Sequence, residues 1–294
     1  MTCFLCHSDN KNKFAEAESF GFPLVYFICE NCGLVYQSTE TSQVINPDFY
    51  AETYRKIYQD NPSPTKKDLW VQEQRANHLV DLVNSHCITP PKNYLDIGAS
   101  TGTLLLKFKQ TLGCEVTGVE PGSAYRSFAE KNGLHMFASI EELIATKPAR
   151  FDLVSLVHVL EHLPDPIDTL SRIKIDLLSE SGRLLLEVPN LYAHDSFELA
   201  HLTCFSPQKL DETVQQAGYE VQFIARHGIP RSDMLKLYIT LIAKPLSEGL
   251  PRSIIKKEPM VRIKRQLGMG YRRVVQRLFP KKAWLPLPLS LIHI

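Results

Sequence analysis

An α/β fold, with a mostly parallel sheet covered by helices on both faces, is predicted by three observations. Strand-like apolar runs alternate with amphipathic stretches along the middle of the chain. A turn of small residues joins the first of these runs to its helix. Seven such runs can be counted in all.

The elements follow in chain order. Cys3-x-x-Cys6 and Cys29-x-x-Cys32 are separated by 22 residues that contain a strand-like run, 20–28. Two Cys-x-x-Cys turns can give four thiolates to one tetrahedral zinc with no position left for water, so Cys3, Cys6, Cys29 and Cys32 are expected to form a closed, structural site in a module spanning 1–46. A segment this short has little core of its own, and metal binding would supply its folding energy. A polar stretch, 47–65, follows as a linker. In it Tyr50, Tyr54 and Tyr58 recur every four residues, as an aromatic stripe packed on the main domain or as a flap over a substrate mouth. A helix over 66–86, with Leu69, Ala76, Leu79, Val80 and Val83 inward, leads into the main domain, 66–245.

Strands are expected near 94–97, 115–119, 134–138, 151–157 and 182–188, and helices near 102–111, 121–132, 140–145, 166–179 and 207–217. Two further runs, 219–226 and 235–243, are joined by His227-Gly228-Ile229-Pro230 with no helix between them, and should pair antiparallel. The tail, 246–294, departs from this alternation. Ile263, Leu267, Tyr271, Val274, Val275 and Leu278 form a helical stripe between Arg262, Lys264, Arg265, Arg272, Arg273 and Arg277, a pattern suited to an anionic membrane surface or to a solvated terminal helix. The last six residues, 289–294, continue no pattern and resemble a cloning scar.

The most informative stretch is Tyr94-Leu95-Asp96-Ile97-Gly98-Ala99-Ser100-Thr101-Gly102, where an apolar strand ends in an acid, a tight turn and a helix start. Gly98 and Gly102 let the backbone pass close to a ligand at the carboxyl edge of a parallel sheet, and a β-branched residue at 102 is expected to block that ligand's path. Glu120 closes the next strand, where an acid that grips ribose hydroxyls should lie. The dinucleotide fingerprint is incomplete, because Ser100 and Thr103 stand where its second and third glycines would fall. Asp96 beside the turn would repel a pyrophosphate but suit a ligand that carries an ammonium group.

His158-Val159-Leu160-Glu161-His162 spells the H-x-x-E-H of inverted zinc peptidases. It directly follows a strand and stops at Leu163-Pro164-Asp165-Pro166, which leaves barely two turns and argues against two histidines on one face of a long helix.

Between 66 and 245 the chain resembles a class I S-adenosylmethionine-dependent methyltransferase. The resemblance is carried by Asp96-x-Gly98-x-Ser100-x-Gly102, Gly118-Val119-Glu120-Pro121, Phe151-Asp152-Leu153-Val154 and 158–166. The last motif, with the four-cysteine module, is similar to a branch acting in sugar-nucleotide and surface-polysaccharide pathways. The resemblance implies a Rossmann-like sheet of seven strands with one reversed strand at its edge. It also implies S-adenosylmethionine along Asp96, Gly98, Ser100, Gly102 and Glu120, with Ser139 and Ile140 near the adenine and His158 facing the sulfonium. The loop 198–207 is similar to one in sugar C-methyltransferases whose histidine is the base, so His201, and after it His158, are the candidate catalytic residues. Ala200 and Cys204 depart from that pattern, and the branch's large C-terminal domain has no counterpart. The acceptor is then a small polar molecule, a sugar nucleotide or glycan, methylated on oxygen or carbon.

At 294 residues and 44% hydrophobic content, the chain can bury a full core. No basic-then-apolar leader and no run of 18 apolar residues is present, so a cytoplasmic location is expected, with peripheral membrane contact through the tail. The net charge of +1 hides a basic tail: 244–282 carry twelve Lys or Arg against Glu248 and Glu258. A second reading, a zinc-ribbon nucleic-acid binder with a degenerate α/β domain, would rest on that tail. The zinc segment's scarcity of Lys and Arg argues against it.

Overall fold

A computed structural model describes residues 2–38, 63–87, 89–247 and 254–285. Tyr50, Tyr54, Tyr58 and the final six residues lie outside them. Two sheets are present. In the N-terminal segment, strand β1 (Lys11–Ser19) turns at Phe20-Gly21 into β2 (Phe22–Cys29), which pairs with β3 (Val35–Gln37). β1 was not anticipated, because Lys11, Lys13, Glu16 and Glu18 dilute its alternation.

Helix α1 (Lys66–His86) starts in a capping box. Thr65 Oγ1 accepts from the Asp68 amide, and Asp68 accepts from the Thr65 amide. The main sheet then builds from β4 (Asn93–Ile97), α2 (Thr103–Leu112), β5 (Glu115–Val119), α3 (Ser123–Lys131), β6 (His135–Phe137), α4 (Ile140–Ala145) and β7 (Phe151–Val157). A 3-10 turn at Leu160–His162 leads to α5 (Pro166–Arg172), continued by a π-helical turn at Ile173–Leu177. β8 (Leu178–Pro189) follows, then β9 (Thr203–Cys204), α6 (Pro207–Gln216), β10 (Tyr219–His227) and β11 (Tyr238–Pro245). The tail forms α7 (Val261–Leu278) and α8 (Pro280–Ala283).

The seven-stranded sheet runs β10-β11-β8-β7-β4-β5-β6, parallel except where β11 pairs antiparallel with both β8 and β10. The reversed strand is therefore one place in from the edge, and β10 is the edge strand. This corrects the expected edge position, since β11 must turn back from β10 to reach β8. Helix 166–179 also ends earlier than expected: Leu178 pairs with Phe151 and opens β8. Alternating residues fill the two faces. Leu184, Leu186 and Val188 pack beneath α5 and α6 with Leu170, Leu210 and Val214, while Leu185 faces the α1–α2 side with Leu79, Val83 and Phe108. Each such side chain contributes about 1.5–3 kcal/mol on burial.

β9 joins the smaller sheet, giving the order β1-β2-β3-β9, so a strand from the main domain completes the N-terminal sheet. The tail helix packs on the rest of the chain through some of its cations. Arg265 donates to the Leu191 and His194 carbonyls, Arg272 to that of Ala193, and Arg262 to those of Lys13 and Phe14. Arg265 is thus buried and Arg272 half-buried, Arg262 stays exposed against β1, and Ile263, Leu267, Tyr271, Val274 and Leu278 are exposed. Val275, expected in that stripe, is buried against Leu235, Leu237 and Tyr238. Among the described residues no helix is long and apolar enough to cross a membrane.

Candidate active site

The carboxyl ends of β4, β5, β6 and β7 lie side by side, and the candidate residues gather there. Gly98 has φ +79°, and a Cβ on it would come within 2.3 Å of Val159 Cγ2. Its amide and that of Ala99 both donate to the Val119 carbonyl, at 2.8 and 2.9 Å, tying the turn to β5. At Gly102, φ is +73° and a Cβ would meet Leu134 Cδ1 at 2.2 Å and Ala129 Cβ at 3.2 Å. A side chain at 102 would thus strike α3 and the start of β6. A packing constraint therefore acts at Gly102, beside the expected obstruction of a ligand.

Asp96 is buried and accepts from Ser155 Oγ at 2.5 Å, and Ser155 in turn meets the Tyr94 hydroxyl at 2.7 Å. Burial pushes the Asp96 carboxyl up to about 7, against the Ser155 hydrogen bond and with Glu120 adding to the rise. Glu120 accepts from the Ser100 amide (Oε2, 2.8 Å) and the Gly122 amide (Oε1, 2.9 Å), which fixes the carboxylate facing the turn. Gln72 of α1 closes the other side, donating to Ser100 Oγ at 3.1 Å and accepting from Thr101 Oγ1 at 2.5 Å. Ser139 caps α4 by accepting from the Glu142 amide, and Ile140 packs into the core beside it, both just past β6 on the same edge.

A dense group of titratable side chains adjoins this turn. His158 directly follows β7 in a left-handed backbone, φ +56°, a strained conformation for a residue with a Cβ. Its Nε2 lies 3.1 Å from Glu187 Oε1 and its Nδ1 3.4 Å from Glu161 Oε1. Burial and Arg75 push its pKa down, but the two carboxylates outweigh them and hold it above the ordinary histidine value. Both of its ring nitrogens are thus turned toward carboxylates. Glu187, at the end of β8, also meets Arg75 Nε at 2.8 Å, His227 Nε2 at 3.3 Å and Thr240 Oγ1 at 3.1 Å. Burial opposes its charge, yet these partners keep its carboxyl well below the usual range.

His201 and His162 have the opposite character, since burial lowers both pKa values and favours neutral rings. His201 Nδ1 sits 3.1 Å from the Ser196 carbonyl and His162 Nδ1 2.8 Å from that of Ala200. A carbonyl only accepts, so each Nδ1 carries the proton and each Nε2 bears the lone pair. The two rings are 5.1 Å apart between centroids. Glu198 Oε2 lies 3.9 Å from His201 Nε2. The H-x-x-E-H segment is a single 3-10 turn, with no helix face for its two histidines to share.

The four N-terminal thiols converge. Cys3 and Cys32 sulfurs are 3.6 Å apart, Cys6 and Cys29 are 3.4 Å apart, and all four lie within 4.8 Å of one another. Sulfurs at about 2.3 Å from one tetrahedral ion would be spaced by similar distances, so the donor set fits zinc. This module also reaches the histidine loop. Tyr26 of β2 donates to the Glu198 and His201 carbonyls at 2.8 and 3.1 Å, and Gln37 of β3 donates to the Tyr26 hydroxyl and the Glu198 carbonyl.

Sequence reasoning gave no part to Arg75, Gln72, Glu198 or His227, and read Glu187 only as the end of a strand. Arg75 and Gln72 lie on α1, whose register shows amphipathicity but gives no sign of the sheet edge it crosses. A glutamate closing an otherwise apolar run, Leu184-Leu185-Leu186-Glu187-Val188, was the available signal, since a charge so placed needs partners.

The family described as Methyltransferase domain matches residues 71–222, and the chain belongs to it. This is the class that the fold and its glycine turn define. The Ubiquinone biosynthesis O-methyltransferase of Hahella chejuensis is 31% identical over 99 residues, covering 31% of this chain and 41% of that protein. The protein of the same name from Nitrosospira multiformis is 24% identical over 184 residues, covering 53% of this chain and 73% of its own length. The chain thus spans less than half of the Hahella protein's length. These relatives are named for ubiquinone biosynthesis, a different branch from the sugar methyltransferases that the motifs resemble. The 1,6-didemethyltoxoflavin-N1-methyltransferase of Burkholderia thailandensis, solved with 1,6-didemethyltoxoflavin and S-adenosylhomocysteine, shares the fold. It aligns with a TM-score of 0.54 at 17% identity over 81% of this chain and 100% of that chain.

Proposed function

We propose that the protein transfers a methyl group from S-adenosylmethionine to a hydroxyl of a small polar acceptor held beside His158, His162 and His201. The observation that carries this reading is the juxtaposition, on one sheet edge, of a buried acid suited to an ammonium group with neutral imidazoles that can serve an acceptor.

The residues fit the cofactor. Asp96 is a buried carboxyl without a cationic partner among the described residues, and an ammonium would restore its charged form. Glu120 accepts from the Ser100 and Gly122 amides and so faces the turn, where ribose hydroxyls would lie. When bound, S-adenosylmethionine supplies a methyl already activated by its sulfonium. The protein then has to align the acceptor, exclude water and remove one proton. His201, neutral and with its lone pair on Nε2, is the residue placed to assist that proton's removal. His158, pinned between Glu161 and Glu187, positions the edge. The relatives' names favour oxygen as the methylated atom; the resemblance of the His201 loop favours a carbohydrate acceptor. Product profiling with methyl-labelled cofactor decides between acceptor classes.

Calorimetry should show S-adenosylmethionine binding and no NAD binding. Asp96→Asn should weaken the former about 10- to 150-fold, the equivalent of about 1.5–3 kcal/mol for a charged hydrogen bond. The sign of the pH dependence follows from a raised carboxyl pKa: Asp96 is neutral below about 7 and charged above it. Parent affinity should therefore fall as the pH drops through 7, with a weaker dependence in the variant. Equal affinity of parent and variant at pH 8 would remove Asp96 from the site.

We further propose one structural zinc on Cys3, Cys6, Cys29 and Cys32. Cys29→Ser should lose that zinc together with order in 2–38. Because Tyr26 and Gln37 hold the His201 loop, turnover should fall far more than cofactor affinity. Metal analysis and calorimetry on the same sample check this, and a metal-free protein with a folded N-terminus would overturn it.

A further inference from the structure

We propose that Glu161, His162 and His201 form a second metal site, one that takes a divalent first-row cation beside the acceptor; this rests on the methyl-transfer reading above. One carboxylate oxygen and one nitrogen from each imidazole lie within 4.8 Å of one another, close enough for one ion to bridge all three. The elements that bring them together are separate in sequence. Glu161 and His162 sit on the 3-10 turn after β7 and His201 on the loop before β9, and the two segments are joined by the Leu202 amide donating to the Glu161 carbonyl at 2.9 Å.

Two independent observations point to a ligand here. The first is the state of Glu161. It is 1% exposed, and neither carboxylate oxygen has a hydrogen bond among the described residues. Its Oε1 is 3.4 Å from His158 Nδ1, a long contact for a buried charge. Buried carboxylates are ordinarily satisfied by donors or by a cation, and this one shares its cluster with one ring nitrogen from each of two imidazoles. The second is the way the imidazoles are held. Each gives its Nδ1 proton to a backbone carbonyl, Ala200 for His162 and Ser196 for His201, which fixes the tautomer with Nε2 as the donor atom. That second hydrogen bond is the usual companion of a metal-bound histidine. Two imidazoles and a carboxylate suit Mn²⁺, Fe²⁺, Co²⁺ or Zn²⁺, and such a triad leaves coordination positions open. Glu198, with Oε2 at 3.9 Å from His201 Nε2, borders the open side.

The chemistry follows from the open position. An acceptor hydroxyl bound to the cation is acidified, and its proton leaves to solvent. The oxygen lone pair then forms the new bond to the methyl carbon, while the carbon–sulfur bond breaks and its electron pair stays on sulfur as a neutral thioether. His201 then acts through the ion and need not itself take the proton.

The test must separate this site from the cysteine site. Mn²⁺ does so, because it prefers oxygen and nitrogen donors to four thiolates. Full-length protein, with its tightly held zinc left in place and washed with a mild chelator, is titrated with Mn²⁺ and followed by electron paramagnetic resonance. S-adenosylmethionine affinity is measured on the same samples. One Mn²⁺ per chain is expected, weakened about tenfold or more in both His201→Asn and Glu161→Gln, with cofactor affinity retained. Added Mn²⁺ should restore turnover lost on chelation. If Glu161→Gln fails to fold, His201→Asn alone decides. Cofactor binding without Mn²⁺ binding, or equal Mn²⁺ affinity in parent and His201→Asn, would overturn the metal site and leave the methyl-transfer reading standing. Loss of cofactor binding in the parent would instead reject that reading.

Discussion

Replacing His201 by asparagine is expected to lower turnover about 10²- to 10⁴-fold, the range that removal of a proton-handling group ordinarily costs. Affinity for S-adenosylmethionine should stay within about twofold of the parent, since Asp96 and Glu120 lie on other elements. Asparagine keeps approximate size and polarity and can still donate to the Ser196 carbonyl, so the loop should keep its shape. It offers no ring lone pair to a proton or a cation. The same pair of measurements on His158→Asn is the control. Both His158 ring nitrogens face carboxylates, so its loss should disturb the edge without removing a base. A large drop at His158→Asn with His201→Asn near parent activity would assign the proton to His158. Unchanged rates in both would mean an acceptor that needs no deprotonation.

The second large effect concerns stability. Glu187→Gln should cost about 3–5 kcal/mol, the usual consequence of removing one partner from a buried ionic network. Glu187 is fully buried, and its substitution would leave Arg75, His158 and His227 facing a neutral amide. The pH dependence has a definite sign. Burial opposes the charge, but Arg75 and the two histidines hold the folded-state pKa well below the ordinary value. A depressed carboxyl pKa gives stability that is present above the unfolded-state value near 4.3 and lost as the pH falls through the lower folded value. The gap between parent and variant in urea midpoint should therefore be wide at pH 5 and above and should narrow below about pH 4. Equal midpoints at pH 7 would show that the network holds nothing together.

Much of the fold was legible because it is written in local patterns. Period-2 burial in β8, with Leu184, Leu186 and Val188 to one side and Leu185 to the other, follows from strand geometry alone. Thr65, Asp165 and Ser206 announce helix starts through their capping oxygens, two of them with proline in the first turn. The glycine turn and Glu120 were equally readable, since a positive φ at Gly98 and an acid at a strand end are properties of single positions.

The sequence by itself determined the alternation of elements, the glycine turn with its two acids, and the four cysteines at metal spacing. Each depends on residues close in the chain, or on residue types whose chemistry admits few uses. Only the tertiary structure decided that β11 runs between β8 and β10, that a side chain at Gly102 would strike Leu134, and that Arg265 and Arg272 turn inward. It alone brought Arg75 of α1 to Glu187 of β8, and His201 to Glu161 and His162. The physical reason is that a charge or a lone pair takes its role from what lies within a few ångströms, and for these residues the neighbours are tens to more than a hundred positions away in the chain.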